Sequence, residues 1–166
     1  MTSSEEEISG LKAKLMDVFQ RTPPLSLNEI TTSPDYYPQV PNLKRTFAEI
    51  EWWQISCETI CGNYDKLPLF SDRAFYYVFP AYMWCALDEL PICNLVCEFL
   101  IYELSPPPGK KVDARFVNCY SSRLAMFSTE EIDIIREFLR LLLSLETMKD
   151  FYSDIKSGLL MLDSNE

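Results

Sequence analysis

Histidine is absent from the chain. That absence removes imidazole acid–base chemistry, histidine-ligated metal sites and Ser-His-Asp or Cys-His catalysis. Positive charge is scarce as well: 15 Lys and Arg face 25 Asp and Glu, for a net charge of −10 and a pI of about 4.5. Phosphate backbones and anionic lipid repel such a surface, so neither nucleic acid nor a membrane is expected as a partner. Only 4 glycines stand against 11 prolines, which predicts stiff turns. No apolar run approaches the ~20 residues a membrane-spanning helix needs. The longest, 92–102, is interrupted by Asn94 and Glu98. Residues 1–7 are polar and acidic, without the basic and apolar regions of an export signal. The expected location is cytoplasmic.

What is present suits a globular protein. The 166 residues are 48% hydrophobic and 24% charged, enough for one core and one domain, 1–166. Residues 1–4 and 163–166 are expected to fray. Aromatics reach 13%. They are densest between Leu67 and Met83, the stretch around which the chain is organised.

Apolar spacing predicts a mainly α fold: an irregular single-domain bundle of five to seven helices around a central apolar helix, with long extended connectors. The first helix spans 5–21, with Ser3 or Ser4 as cap and Pro23-Pro24 as its end. Residues 25–43 form a connector broken by Pro34, Pro38 and Pro41, and 44–51 a short helix. Ser56 caps a short helix over 57–63, and Ser71 caps one that Pro80 either kinks or divides. Residues 92–104 read as an apolar helix ended by Pro106-Pro107-Pro108, and 114–120 as a strand or extended loop. The clearest local signal is Ser128-Thr129-Glu130-Glu131, a capping box flanked by Phe127 and Ile132 as a hydrophobic staple. That helix runs to about 145. A last one over 147–162 is weakened by Gly158.

Two cysteine pairs, Cys57/Cys61 and Cys93/Cys97, are spaced i,i+4, so each pair shares one helix face. Four thiolates brought together could bind zinc; the competing reading is that cysteine is a small apolar core residue. The latter is preferred, so no metal and no cofactor is expected. Without an export signal the thiols should be reduced. Asp88/Glu89 and Asp133/Glu137 read as solvated faces rather than acid–base pairs, and Gly109-Lys110-Lys111 lacks the remainder of a phosphate loop.

Tyr36, Tyr37, Trp52 and Trp53 fall in short or irregular segments, where large aromatics either pin connectors or anchor a partner. Tyr76 and Tyr77 are neighbours on a helix, so both cannot face the same core. These six are the candidate partner-binding residues.

Trp53-Gln54-Ile55-Ser56, followed by Phe70-Ser71-Asp72-Arg73-Ala74-Phe75-Tyr76-Tyr77-Val78-Phe79-Pro80-Ala81-Tyr82, resembles the signature of an uncharacterised family of small bacterial helical proteins. Its members carry Trp-x-x-Ile/Leu, then Phe-Ser-Pro-Glu-Ala-Phe-Arg-Tyr-Tyr-Leu-Pro-Ala-Tyr. Tyr102-Glu103-Leu104-Ser105-Pro106-Pro107, Phe127-Ser128-Thr129-Glu130-Glu131 and Phe138-Leu139 extend the likeness over roughly 45–143. The chain departs from it at Asp72-Arg73 and Val78-Phe79. The resemblance implies helices and no activity. The overall expectation is a non-catalytic protein-binding module with a basic protein partner, such as an immunity or antitoxin-like protein. A thiol-metal or small-molecule binder is the alternative.

Overall fold

The fold is mainly α, as a computed structural model shows; it describes residues 3–19, 22–89, 95–105 and 114–164. Among the described residues, eight α-helices run in order: α1 (Ser3–Phe19), α2 (Val40–Phe47), α3 (Cys57–Cys61), α4 (Asp72–Glu89), α5 (Leu95–Leu104), α6 (Ala114–Leu124), α7 (Thr129–Ser144) and α8 (Tyr152–Asp163). Short 3₁₀ turns join several of them, at Leu27–Glu29, Trp52–Gln54, Leu67–Leu69 and Glu146–Phe151. No strand occurs among the described residues. Nor is any helix there long and apolar enough to cross a membrane. Cys93, Pro106-Pro107-Pro108 and Gly109-Lys110-Lys111 lie outside the described residues.

Helix α4 is the hub. It packs against α1, α3, α5 and α6 and against the Trp52–Gln54 turn. Its residues explain this role: Ala74, Phe75, Tyr77, Val78, Phe79, Ala81, Tyr82, Met83, Cys85, Ala86 and Leu87 are all buried. Each large apolar side chain so buried stabilises the fold by about 1.5–3 kcal/mol. Pro80 lies inside the helix without dividing it. The missing N–H costs the one hydrogen bond to the Tyr76 carbonyl, and burial on both sides of the proline offsets that cost. Ser71 caps the helix, its Oγ accepting the Ala74 N–H at 3.0 Å and donating to the Glu29 carbonyl at 2.5 Å.

The capped helices stand where local chemistry puts them. Ser128 Oγ accepts the Glu131 N–H at 3.2 Å, and the Glu131 carboxylate accepts the Ser128 N–H at 2.7 Å. Ser56 Oγ accepts the Thr59 N–H at 3.1 Å. Other boundaries differ from expectation. Helix α1 includes Ser3 and Ser4, and α8 reaches Asp163, whose carboxylate accepts Arg136 Nε at 3.1 Å. Ser3, Ser4 and Asp163 are thus terminal residues of helices, and Ser164 is the C-cap of α8. Helix α2 starts at Val40, four residues before the expected start, because Pro41 occupies its first turn, where a proline is tolerated.

The segment expected to be a strand or loop, 114–120, is part of α6. Tyr120, Arg123, Leu124 and Phe127 are buried at spacings of three and four, a helical stripe. Gly158 does not loosen α8. A Cβ there would stand 3.0 Å from the Leu104 carbonyl oxygen, so glycine is what lets α8 lie directly on the end of α5.

Candidate functional site

The six candidate aromatics divide sharply. Trp52 is 1% exposed, and its Nε1 donates to the Phe19 carbonyl at 3.0 Å. Tyr77 is equally buried and donates its hydroxyl to the Ile50 carbonyl at 3.0 Å. Burial, with Glu51 nearby, pushes the Tyr77 phenol up to about 12. Tyr76 is half-buried, edge-on to Phe127, and donates to Glu131 Oε1 at 2.8 Å. Trp53 is half-buried and edge-on to Trp52. Four of the six therefore have packing duties.

Tyr36 and Tyr37 do not. They are 78% and 48% exposed, with rings 4.9 Å apart. The loop carrying them is braced at both ends. The Tyr37 N–H donates to the Pro34 carbonyl at 3.1 Å, and the Val40 N–H to the Tyr37 carbonyl at 3.0 Å. Lys44 Nζ donates to the Asp35 carboxylate at 2.7 Å. Thr31, Ser33 and Ser71 tie the preceding stretch to the start of α4: Thr31 Oγ1 donates to the Leu69 carbonyl and accepts the Ser33 N–H. The Ser71 N–H donates to the Ile30 carbonyl at 2.9 Å. Prolines and turn hydrogen bonds thus present two exposed aromatic rings on a stiff mount.

No family model, curated protein or solved structure matches the chain.

Two concavities accompany this loop elsewhere on the surface. One, of about 330 Å³, is lined by Met16, Trp53, Ser56, Cys57, Ala81 and Trp84. The other, of about 320 Å³, is lined by Phe75, Glu103, Arg115, Tyr120, Arg123 and Leu124 among others. The second is built on a buried cation. Arg123 donates to Glu103 at 3.0 Å and to the carbonyls of Leu67, Pro68 and Phe70 at 3.4, 3.4 and 3.1 Å. It lies over the Phe75 ring, 4.3 Å from its centroid. Burial raises the Glu103 carboxyl above its usual range, and the Arg123 charge opposes that shift. Its two terminal nitrogens are directed at the protein itself, while Nε makes no hydrogen bond and faces the Asp72 carboxylate at 3.5 Å, so this group fastens α6 to the 67–70 turn.

The alternative zinc quartet of Cys57, Cys61, Cys93 and Cys97 includes Cys93, which lies outside the described residues. Cys57 and Cys61 share a face of α3, as their spacing requires, and the thiol beside them is Cys85 of α4: its Sγ is 3.7 Å from Cys61 Sγ. Cys97 is buried in the core with its Sγ 3.9 Å from Met148 Sδ. Cys57, Cys61, Cys85 and Cys119 are free thiols, and no three His, Cys, Asp or Glu side chains among the described residues are arranged to hold a metal ion. Cys85 carries no i,i+4 thiol partner of its own, so spacing alone does not flag it. Arg123 was missed for a related reason: its anion is Glu103, 20 residues away, and three of its acceptors are backbone carbonyls.

Proposed function

We propose that this chain is a non-catalytic binding module of the cytoplasm, and that it takes hold of a basic protein through Tyr36 and Tyr37. The exposure of this adjacent pair on a braced loop carries the reading. Exposed large aromatics held rigidly are the usual anchors of interfaces, because they bring contact area at small conformational cost. The partner's charge follows from the net −10 of the chain, which steers and favours a cationic surface. Neutralisation of a cationic toxin, as by an immunity or antitoxin-like protein, is the specific form of this function.

The test uses the folded full chain as bait, with Y36A/Y37A as its comparison. A basic protein retained by the wild type should bind the double variant more than 10-fold more weakly, and its association should slow as salt is raised. Equal binding of that protein by both baits, with no salt dependence, overturns the assignment.

A further inference from the structure

The junction of α1, α3 and α4 gathers three cysteines from two elements. Ser56 starts α3 so that Cys57 and Cys61 point the same way, onto the turn of α4 that carries Cys85. Cys61 Sγ lies 3.7 Å from Cys85 Sγ, and Cys85 Sγ lies 3.7 Å from the Cys57 carbonyl oxygen. Cys57 Sγ is 3.5 Å from the Asp88 carboxylate. That carboxylate also accepts the Lys12 ammonium, which stands 4.5 Å from the centre of the Trp84 ring. Exposure is graded across the cluster: Cys61 is exposed, Cys57 half-buried and Cys85 fully buried. A core reading accounts for Cys85 alone. It does not account for a solvent-facing thiol held within reach of a buried one.

We propose that Cys61 and Cys85 are a peroxide-responsive dithiol that closes into a reversible disulfide, stapling α3 to α4. Cys61 meets the oxidant first, because it is the accessible member. Its thiolate attacks one oxygen of hydrogen peroxide; the S–O bond forms, the O–O bond breaks, and the departing hydroxide takes up a proton to leave as water. Cys85 sulfur then attacks the sulfenic sulfur of Cys61. The S–S bond forms, the S–O bond breaks, and the leaving hydroxide combines with the proton lost by Cys85 to give the second water. Two thiols surrender two electrons and two protons in total, and the peroxide receives them. Burial raises the Cys85 thiol, which makes this second step the slower one and leaves the first product exposed to capture. The sulfurs need only close from 3.7 Å to the ~2.05 Å of a disulfide, a movement within reach of side-chain rotation at Cys61.

The experiment takes the reduced full chain, treats it with hydrogen peroxide in slight excess, unfolds it and alkylates the free thiols. Mass spectrometry should find the protein lighter by two hydrogens, two thiols protected, and a peptide linking Cys61 to Cys85, all reversed by dithiothreitol. C61S, a change at an exposed position, should abolish the crosslink while C119S leaves it intact. A dimedone probe added during oxidation should label Cys61 and not Cys85. The proposal is overturned if Cys85 remains fully alkylated after peroxide, if Cys61 proceeds to sulfinic or sulfonic acid without crosslinking, or if the crosslink joins a different pair.

Discussion

Two pairs of adjacent tyrosines in this chain meet opposite fates. Tyr76 and Tyr77 lie on α4, where successive side chains diverge by about 100°. One enters the core and donates to the Ile50 carbonyl; the other lies along the edge of the core and donates to Glu131. Tyr36 and Tyr37 lie between Pro34 and Pro38, where no regular ladder directs them, and their tilted rings touch each other in solvent. The same dipeptide is structural when a helix and a core are available to it. It is left exposed when prolines hold it away from both.

The largest effect that separates the pairs is truncation. Y77A should destabilise the protein by about 3–5 kcal/mol, the range for removing a buried aromatic, as read from urea unfolding at neutral pH. Y76F should cost less, about 1 kcal/mol, because Tyr76 is half-buried and Glu131 keeps its hydrogen bond from the Ser128 N–H. A loss for Y76F as large as that for Y77A would erase the distinction between the two helical tyrosines.

Alkaline pH sharpens the comparison further. The folded state holds the Tyr77 phenol neutral up to about 12, whereas an unfolded tyrosine loses its proton near its ordinary value of 10.0. The stability tied to this group is complete below pH 10 and is lost as pH rises towards 12. Y77F should make the stability profile in that window shallower. Tyr82 and Tyr120 are raised as well, by burial, so the slope should shrink and not vanish. The smallest effects belong to the loop: Y36A and Y37A should each change unfolding free energy by less than about 1 kcal/mol, since neither ring is buried. A larger change would mean that the loop props up the fold and is not free to serve a partner.

The legible parts of the molecule were the local ones. Ser128 with Glu131, Ser56 with Thr59 and Ser71 with Ala74 are contacts over three residues, and such contacts can be read from sequence because the backbone makes them by itself. The mainly α class followed from apolar spacing. Helix α6 was not legible because what fixes it is distant: Arg123 reaches back to Leu67, Pro68 and Phe70. Its outer face, with Asn118, Ser121 and Ser122, also exposes Val117, and its buried stripe includes the charged Arg123. Pro41 was read as a breaker, and a proline breaks a helix only beyond the first turn. Site residues followed the same division. That one of Tyr76 and Tyr77 must leave the core face was evident from helix geometry. That Tyr36 and Tyr37 would be the exposed pair, and that Cys85 would join Cys57 and Cys61, depended on tertiary packing.

The close passage of Gly158 over the Leu104 carbonyl makes the α5–α8 contact a keyed joint. A slide of α8 by one residue in either direction would bring Ser157 or Leu159 to that point, where a Cβ would stand 3.0 Å from backbone oxygen and the Leu104 backbone would have to give way. Glycine at 158 thus favours the observed register of the last helix on its neighbour. G158V should shift that register or detach the helix rather than be absorbed by it.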